Sequence, residues 1–121
     1  MLLGVIFLCS FFSSKDLLIG KWRNEKYGVE VVIFKQGNRY FGNVTEAGNR
    51  KGNEKLKNGE VMQVLENFRK TSDSTYCCGS IYLPKAGISV ASQILITNKD
   101  NLVITGSRIG IKSSSHWNRV Q

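Results

Sequence analysis

The chain has 121 residues, 41% of them hydrophobic, with 12 glycines and a single proline. That length supports one core and excludes two, and the composition suits strands and tight turns rather than a disordered tail. A formal net charge of +8 favours solubility and loose attraction to anionic surfaces, lipids, glycans or nucleic acid, and does not set the fold.

Met1 to Phe12 is apolar and uncharged, followed by Ser13-Ser14 and then Lys15-Asp16. The run is too short to span a bilayer and the right length for a signal-peptide core. No Lys or Arg follows Met1 and no Ala-x-Ala cleavage site is present, so a retained apolar segment is the alternative. Residues 1–14 are expected as a signal peptide and residues 15–121 as one domain. The protein is accordingly expected to be exported, either periplasmic or extracellular, with no transmembrane span.

Leu17 to Trp22 leads into a first strand, and Tyr27 to Lys35, rich in β-branched residues, makes a second. Lys35-Gln36-Gly37-Asn38 signals a hairpin, with Arg39 to Thr45 as the return strand. Glu46 to Gly59 reads as the longest loop, polar and made basic by Arg50, Lys51, Lys55 and Lys57. Val61 to Phe68 fits both a helical stripe and strand alternation, and strand is preferred. Ser72-Asp73-Ser74 turns the chain into Thr75 to Leu83, and Pro84-Lys85-Ala86-Gly87 turns it again. The clearest alternation follows, with Ile88, Val90, Ile94 and Ile96 on one face and Ser89, Gln93 and Thr97 on the other. Asn98-Lys99-Asp100-Asn101 is a turn, Leu102 to Ile111 the next strand, and Ser113-Ser114-Ser115 leads to a last strand from His116 to Val120. The fold class is therefore all-β, a single antiparallel barrel of about eight strands, because closure removes the exposed edges that an open sheet must manage.

Of the three cysteines, Cys9 would leave with a signal peptide. Cys77 and Cys78 remain, and adjacent strand residues point to opposite faces, so one is expected in the core and the other outside. A bridge between them needs a distorted turn, because neighbouring Cα atoms lie closer than usual disulfide geometry. No metal-ligand spacing is present, His116 is the only histidine, and no Gly-x-Ser-x-Gly elbow occurs. Neither a metal, a cofactor nor an enzymatic role is expected. Arg39-Tyr40-Phe41-Gly42 joins basic and aromatic residues as in sheets that stack bases. It also fits an ordinary hairpin, so a nucleic-acid partner is not expected.

Gly20-Lys21-Trp22, Tyr40-Phe41-Gly42-Asn43-Val44 and Gly79-Ser80-Ile81-Tyr82-Leu83-Pro84 stand in this order. Gly87, Leu102-Val103-Ile104-Thr105-Gly106 and Trp117-Asn118-Arg119 follow. Together they resemble the bacterial exported domain of unknown function 2147, a relative of lipocalin-like (calycin) barrels, from about Gly20 to Arg119. The chain departs from that pattern at Leu83, where the family usually has Asp. It departs again at Val90 and Ser107, where aromatics are common. The resemblance implies a lipocalin-like barrel in which Trp22 packs near the closed end with Arg119 laid across it, and Trp117 shares the face of Arg119. A ligand carboxylate held by Arg119 is the functional alternative to that closure role.

These observations favour non-catalytic binding of a small apolar or amphipathic ligand in the interior. Ile33, Val90, Ile94, Ile96 and Ile104 are the candidate lining residues, and equally candidate core residues, since small barrels are often filled by their own side chains. The rival expectation is a filled barrel that meets an envelope protein or anionic surface through Arg50, Lys51, Lys55 and Lys57.

Overall fold

The computed structural model describes residues 16–121. The expected signal peptide and Cys9 lie outside the described residues. Eight strands run in order: β1 (Gly20–Asn24), β2 (Val29–Gln36), β3 (Arg39–Glu46), β4 (Gln63–Lys70), β5 (Thr75–Leu83), β6 (Ile88–Asn98), β7 (Asn101–Arg108) and β8 (Ile111–Arg119). Each pairs antiparallel with the next, and β8 closes on β1 through Trp22↔Arg119 and Arg23↔Asn118. The expected fold class, a closed eight-stranded antiparallel barrel, is the one observed. Alternation drives it: Tyr40, Gly42 and Val44 of β3 and Leu102, Ile104 and Gly106 of β7 turn inward, and their neighbours stay partly exposed. Among the described residues no helix is long and apolar enough to cross a membrane.

Three local expectations are corrected. The segment read as a long loop contains a helix, α1 (Arg50–Lys57). Asn49 caps it by accepting a hydrogen bond from the Gly52 amide at 2.7 Å, and Lys55 and Lys57 in its last turn suit the helix dipole. The last hairpin turns at Ile109-Gly110, where Arg108 pairs with Ile111, so the three serines belong to β8 rather than to a loop. Cys77 and Cys78 form a disulfide with each other, with Cys77 half-buried and Cys78 exposed. The backbone at Cys78 has φ 69°, which interrupts the strand alternation that would keep the two sulfurs apart.

The same stretch of β5 explains why Gly79 must be a glycine. A β-carbon there would lie 2.5 Å from Cγ of Phe68, so the Phe68 ring reaches the barrel axis across a position without a side chain. Phe68 is 1% exposed. Full burial of such a ring is worth roughly 1.5–3 kcal/mol of transfer free energy.

Because neighbouring strands alternate in direction, the turns sort into two sets. One end of the barrel carries the β2–β3, β4–β5 and β6–β7 turns, together with residues 16–19 and the end of β8. The other carries the β1–β2, β5–β6 and β7–β8 turns and the segment containing α1.

Candidate functional site

At the first end the barrel is sealed. Residues 16–19 cross the opening, and Leu18 and Trp22 are both 0% exposed. Trp22 Nε1 donates to the Leu18 carbonyl at 3.0 Å, so its buried indole N–H is satisfied. The Arg119 guanidinium lies 4.3 Å from the Trp22 ring centroid. Its nitrogens donate to the carbonyls of Leu17, Ile19 and Lys99, and Asp100 stands 3.7 Å away. One side chain thus ties the entering chain, the β6–β7 turn and the last strand over one aromatic face. Here Arg119 is occupied by backbone carbonyls and Asp100. Trp117, two residues before Arg119 on β8, is buried and donates to Ser115 Oγ at 2.9 Å.

A second constellation at this end has no counterpart in the sequence reading. The Tyr40 and Tyr76 hydroxyls both donate to the Asp16 carboxylate, Tyr76 at 2.8 Å. Their rings meet edge to face with centroids 5.1 Å apart. Burial, then the hydrogen bond to Asp16, then its negative charge push both phenols well above the ordinary tyrosine range. The three residues come from positions 16, 40 and 76, and no local spacing announces them. The available signal is that Tyr40 and Tyr76 stand next to turns at the same end of the barrel.

The other end is open. Cross-strand pairing stacks the inward positions in layers: Tyr76, Ile94, Ile104 and Ser115, then Gly79, Ser92, Gly106 and Ser113, then Ile81 beside Val90, then Leu83 beside Ile88. The deeper layer is closed, with Ile94 and Ile104 buried. The next layer is itself buried at Gly79, Ser92 and Gly106, with the Phe68 ring and the Val90 side chain over the two glycines, and beyond it Ile81, Ile88 and Val90 are only half-buried. Along β8, Ile111, Ser113 and Ser115 share the face of Trp117. Exposure on that face rises from buried Trp117 through half-buried Ser115 to exposed Ser113 and Ile111. Inward positions are therefore more exposed toward this end and fully buried toward the other. An open cleft of about 410 Å³, lined in part by Val44, Leu56, Val61 and Met62, lies between α1 and β3.

The five isoleucine and valine candidates divide accordingly. Ile33, Ile94, Ile96 and Ile104 are core, whereas Val90 is half-buried, its Cγ1 3.0 Å from where a Gly106 β-carbon would stand. Arg50, Lys51, Lys55 and Lys57 are exposed on α1 at the open end, with Arg50 3.4 Å from Glu54 one turn on. Tyr40 points inward and Phe41 stacks on Phe34 at 6.0 Å, so the basic-aromatic tetrapeptide does not present its two rings together. His116 is exposed on β8.

On the outer face of β1–β3, Glu30 is 8% exposed and accepts from Thr45 Oγ1 at 2.8 Å and Arg23 at 3.1 Å, with Lys21 at 3.7 Å. Burial alone would raise its carboxyl. The hydrogen bonds from Thr45 and Arg23, with the charges of Lys21 and Arg23, outweigh that and hold it below its ordinary value.

Comparison with known proteins agrees with this architecture. The family described as "Uncharacterized protein conserved in bacteria (DUF2147)" matches residues 20–119. A solved structure, protein HP1028 from the human pathogen Helicobacter pylori, described as belonging to the lipocalin family, superposes with a TM-score of 0.72 at 17% identity. The match covers 88% of this chain and 85% of that one. At that identity the likeness carries the fold alone. No curated protein matches the chain.

Proposed function

Since the chain belongs to the DUF2147 family of bacterial proteins and folds as a lipocalin-like barrel, we propose that it binds a small apolar or amphipathic molecule, without catalysis, through its open end. The observation that carries this reading is the gradient of exposure along inward-facing positions, from closed Ile94 and Ile104 to half-buried Ile81 and Val90. The apolar part of a ligand would lie against Ile81 and Val90 above Gly79 and Gly106. Burying it would yield roughly 25 cal/mol per Å² before ordering costs. Ser113 and Ser115 offer hydroxyls on the same wall for a polar group. The closure by Trp22 and Arg119 is the structural counterpart of this role, holding one end shut so that the other can open. We further propose that the protein acts after export, on the strength of the apolar Met1–Phe12 segment.

Native mass spectrometry of protein purified without detergent, followed by organic extraction, tests the reading. A stoichiometric co-purified small molecule is the expected result. Empty protein that also takes up no fatty-acid probe is the opposing one.

A further inference from the structure

The large apolar side chains that remain exposed are unevenly placed. Among the described residues, Tyr27, Val61, Tyr82, Leu83, Ile109 and Ile111 all belong to the open end, and only Ile19 and Leu95 do not. Val61, Ile109 and Ile111 are 76%, 88% and 74% exposed. They stand on the tips of turns spread round a rim, rather than along a groove that a peptide segment could fill. Scattered single apolar residues need no explanation, but a set gathered at one end marks an interaction surface.

Basic residues accompany them. Lys26 follows β1, Lys85 lies in the β5–β6 turn, Arg108 and Lys112 flank the β7–β8 turn, and α1 adds Arg50, Lys51, Lys55 and Lys57. Lys85, Arg108 and Lys112 make no ion pair among the described residues. Of the acids at this end, Glu30 and Glu46 are engaged by Arg23 and Glu54 by Arg50, while Glu25 and Glu60 lie in the β1–β2 turn and the segment after α1, not on the β5–β6 and β7–β8 hairpins. The β5–β6 and β7–β8 hairpins are neighbours because β6 pairs with β7, so their apolar tips and cations form one continuous stretch of rim.

Ile109 is also costly where it is. Its φ is 51°, in a two-residue hairpin turn followed by Gly110 at φ 75°. Asn or Gly is favoured at that position, and a β-branched residue there is strained by roughly 1–3 kcal/mol. A strained, fully exposed isoleucine contributes nothing to the core, so its place is explained by what it meets outside.

We propose that the open rim docks on an anionic lipid bilayer. The hairpin tips at Leu83 and Ile109–Ile111 would enter the headgroup region, and Lys85, Arg108 and Lys112 would face lipid phosphates. Apolar side chains ringed by cations are the composition that binds such an interface. The inference does not depend on what occupies the interior. It would allow an amphipathic molecule to pass between bilayer and barrel without crossing water.

The test is flotation of the full chain with vesicles of phosphatidylglycerol and phosphatidylcholine mixed, against vesicles of phosphatidylcholine alone. Hydrogen exchange of the bound protein is measured in parallel. Expected are salt-sensitive binding to the anionic vesicles and new protection in peptides covering the β5–β6 and β7–β8 turns. Ile109→Asn relieves the backbone strain, so it should fold at least as well while lowering partition several-fold. Replacing Lys85, Arg108 and Lys112 by Gln should lower it by roughly fivefold per charge removed. Any of three results overturns the proposal: equal binding to neutral vesicles, protection confined to residues 1–15, or unchanged partition of the well-folded variants. Concentration-dependent self-association that Ile109→Asn abolishes, without vesicle binding, would instead assign the rim to a second copy and also overturn it.

Discussion

At one end of this barrel Trp22, Tyr40 and Tyr76 are almost wholly buried, an arginine lies over the tryptophan, and two phenols converge on one carboxylate. At the other end Ile109 and Ile111 stand in solvent and the inward positions are glycine, serine and half-buried aliphatics. The same strands build both ends, so the contrast comes from which residues occupy equivalent inward positions and from what crosses the opening. Residues 16–19 cross the sealed end and supply it with carbonyls and a carboxylate. The open end keeps its wall free. Burial and hydrogen bonding are concentrated at the sealed end, which is where the fold is held together.

The contrast is broken most severely by Trp22→Ala. Removing a fully buried indole that also supports Arg119 should cost about 3–5 kcal/mol, seen as a large drop in the urea midpoint. Arg119→Ala should cost about 2–3 kcal/mol, because it loses a cation–π contact and charged hydrogen bonds to three carbonyls. Tyr76→Phe leaves Asp16 with Tyr40 alone and should cost about 1 kcal/mol. It also changes the alkaline limb. The folded phenols titrate above their unfolded value near 10, so their contribution is complete below that pH and is lost as pH rises beyond it. Urea unfolding at pH 8 and pH 11 should therefore show a fall that is shallower in a Tyr40→Phe, Tyr76→Phe double variant.

Glu30 sharpens the comparison from the acid side. Its folded carboxyl titrates below the unfolded one, so its contribution is present above the unfolded value of about 4.3 and is lost as pH falls through the folded one. Glu30→Gln should flatten that acid limb. Smallest of all, Ile111→Ser at the open rim should change stability by no more than about 0.5 kcal/mol. A larger loss would mean that the open end also holds the fold together.

Much of the sealed end could be read in the sequence. Trp22 and Arg119 are local signals on a first and a last strand, and alternation in β6 placed Ile94 and Ile96 on one face. What escaped depended on partners distant in the chain or on local breaks in regularity. The Asp16–Tyr40–Tyr76 cluster joins residues up to 60 apart. The helix α1 has only Gly52 and Leu56 toward the barrel among polar neighbours, so no apolar stripe announced it. The vicinal disulfide and the Ile109 turn both rest on positive φ at residues that rarely adopt it.

The difference between the ends is tested most directly by titrating delipidated protein with an environment-sensitive fluorescent fatty acid, alongside Val90→Trp. That substitution adds bulk at the half-buried position above Gly106 and leaves the Trp22–Arg119 seal untouched. Saturable binding by the wild type, lost in Val90→Trp at an unchanged melting temperature, is the predicted result. No saturable binding by the wild type, or equal binding by the variant, would contradict a ligand site at the open end.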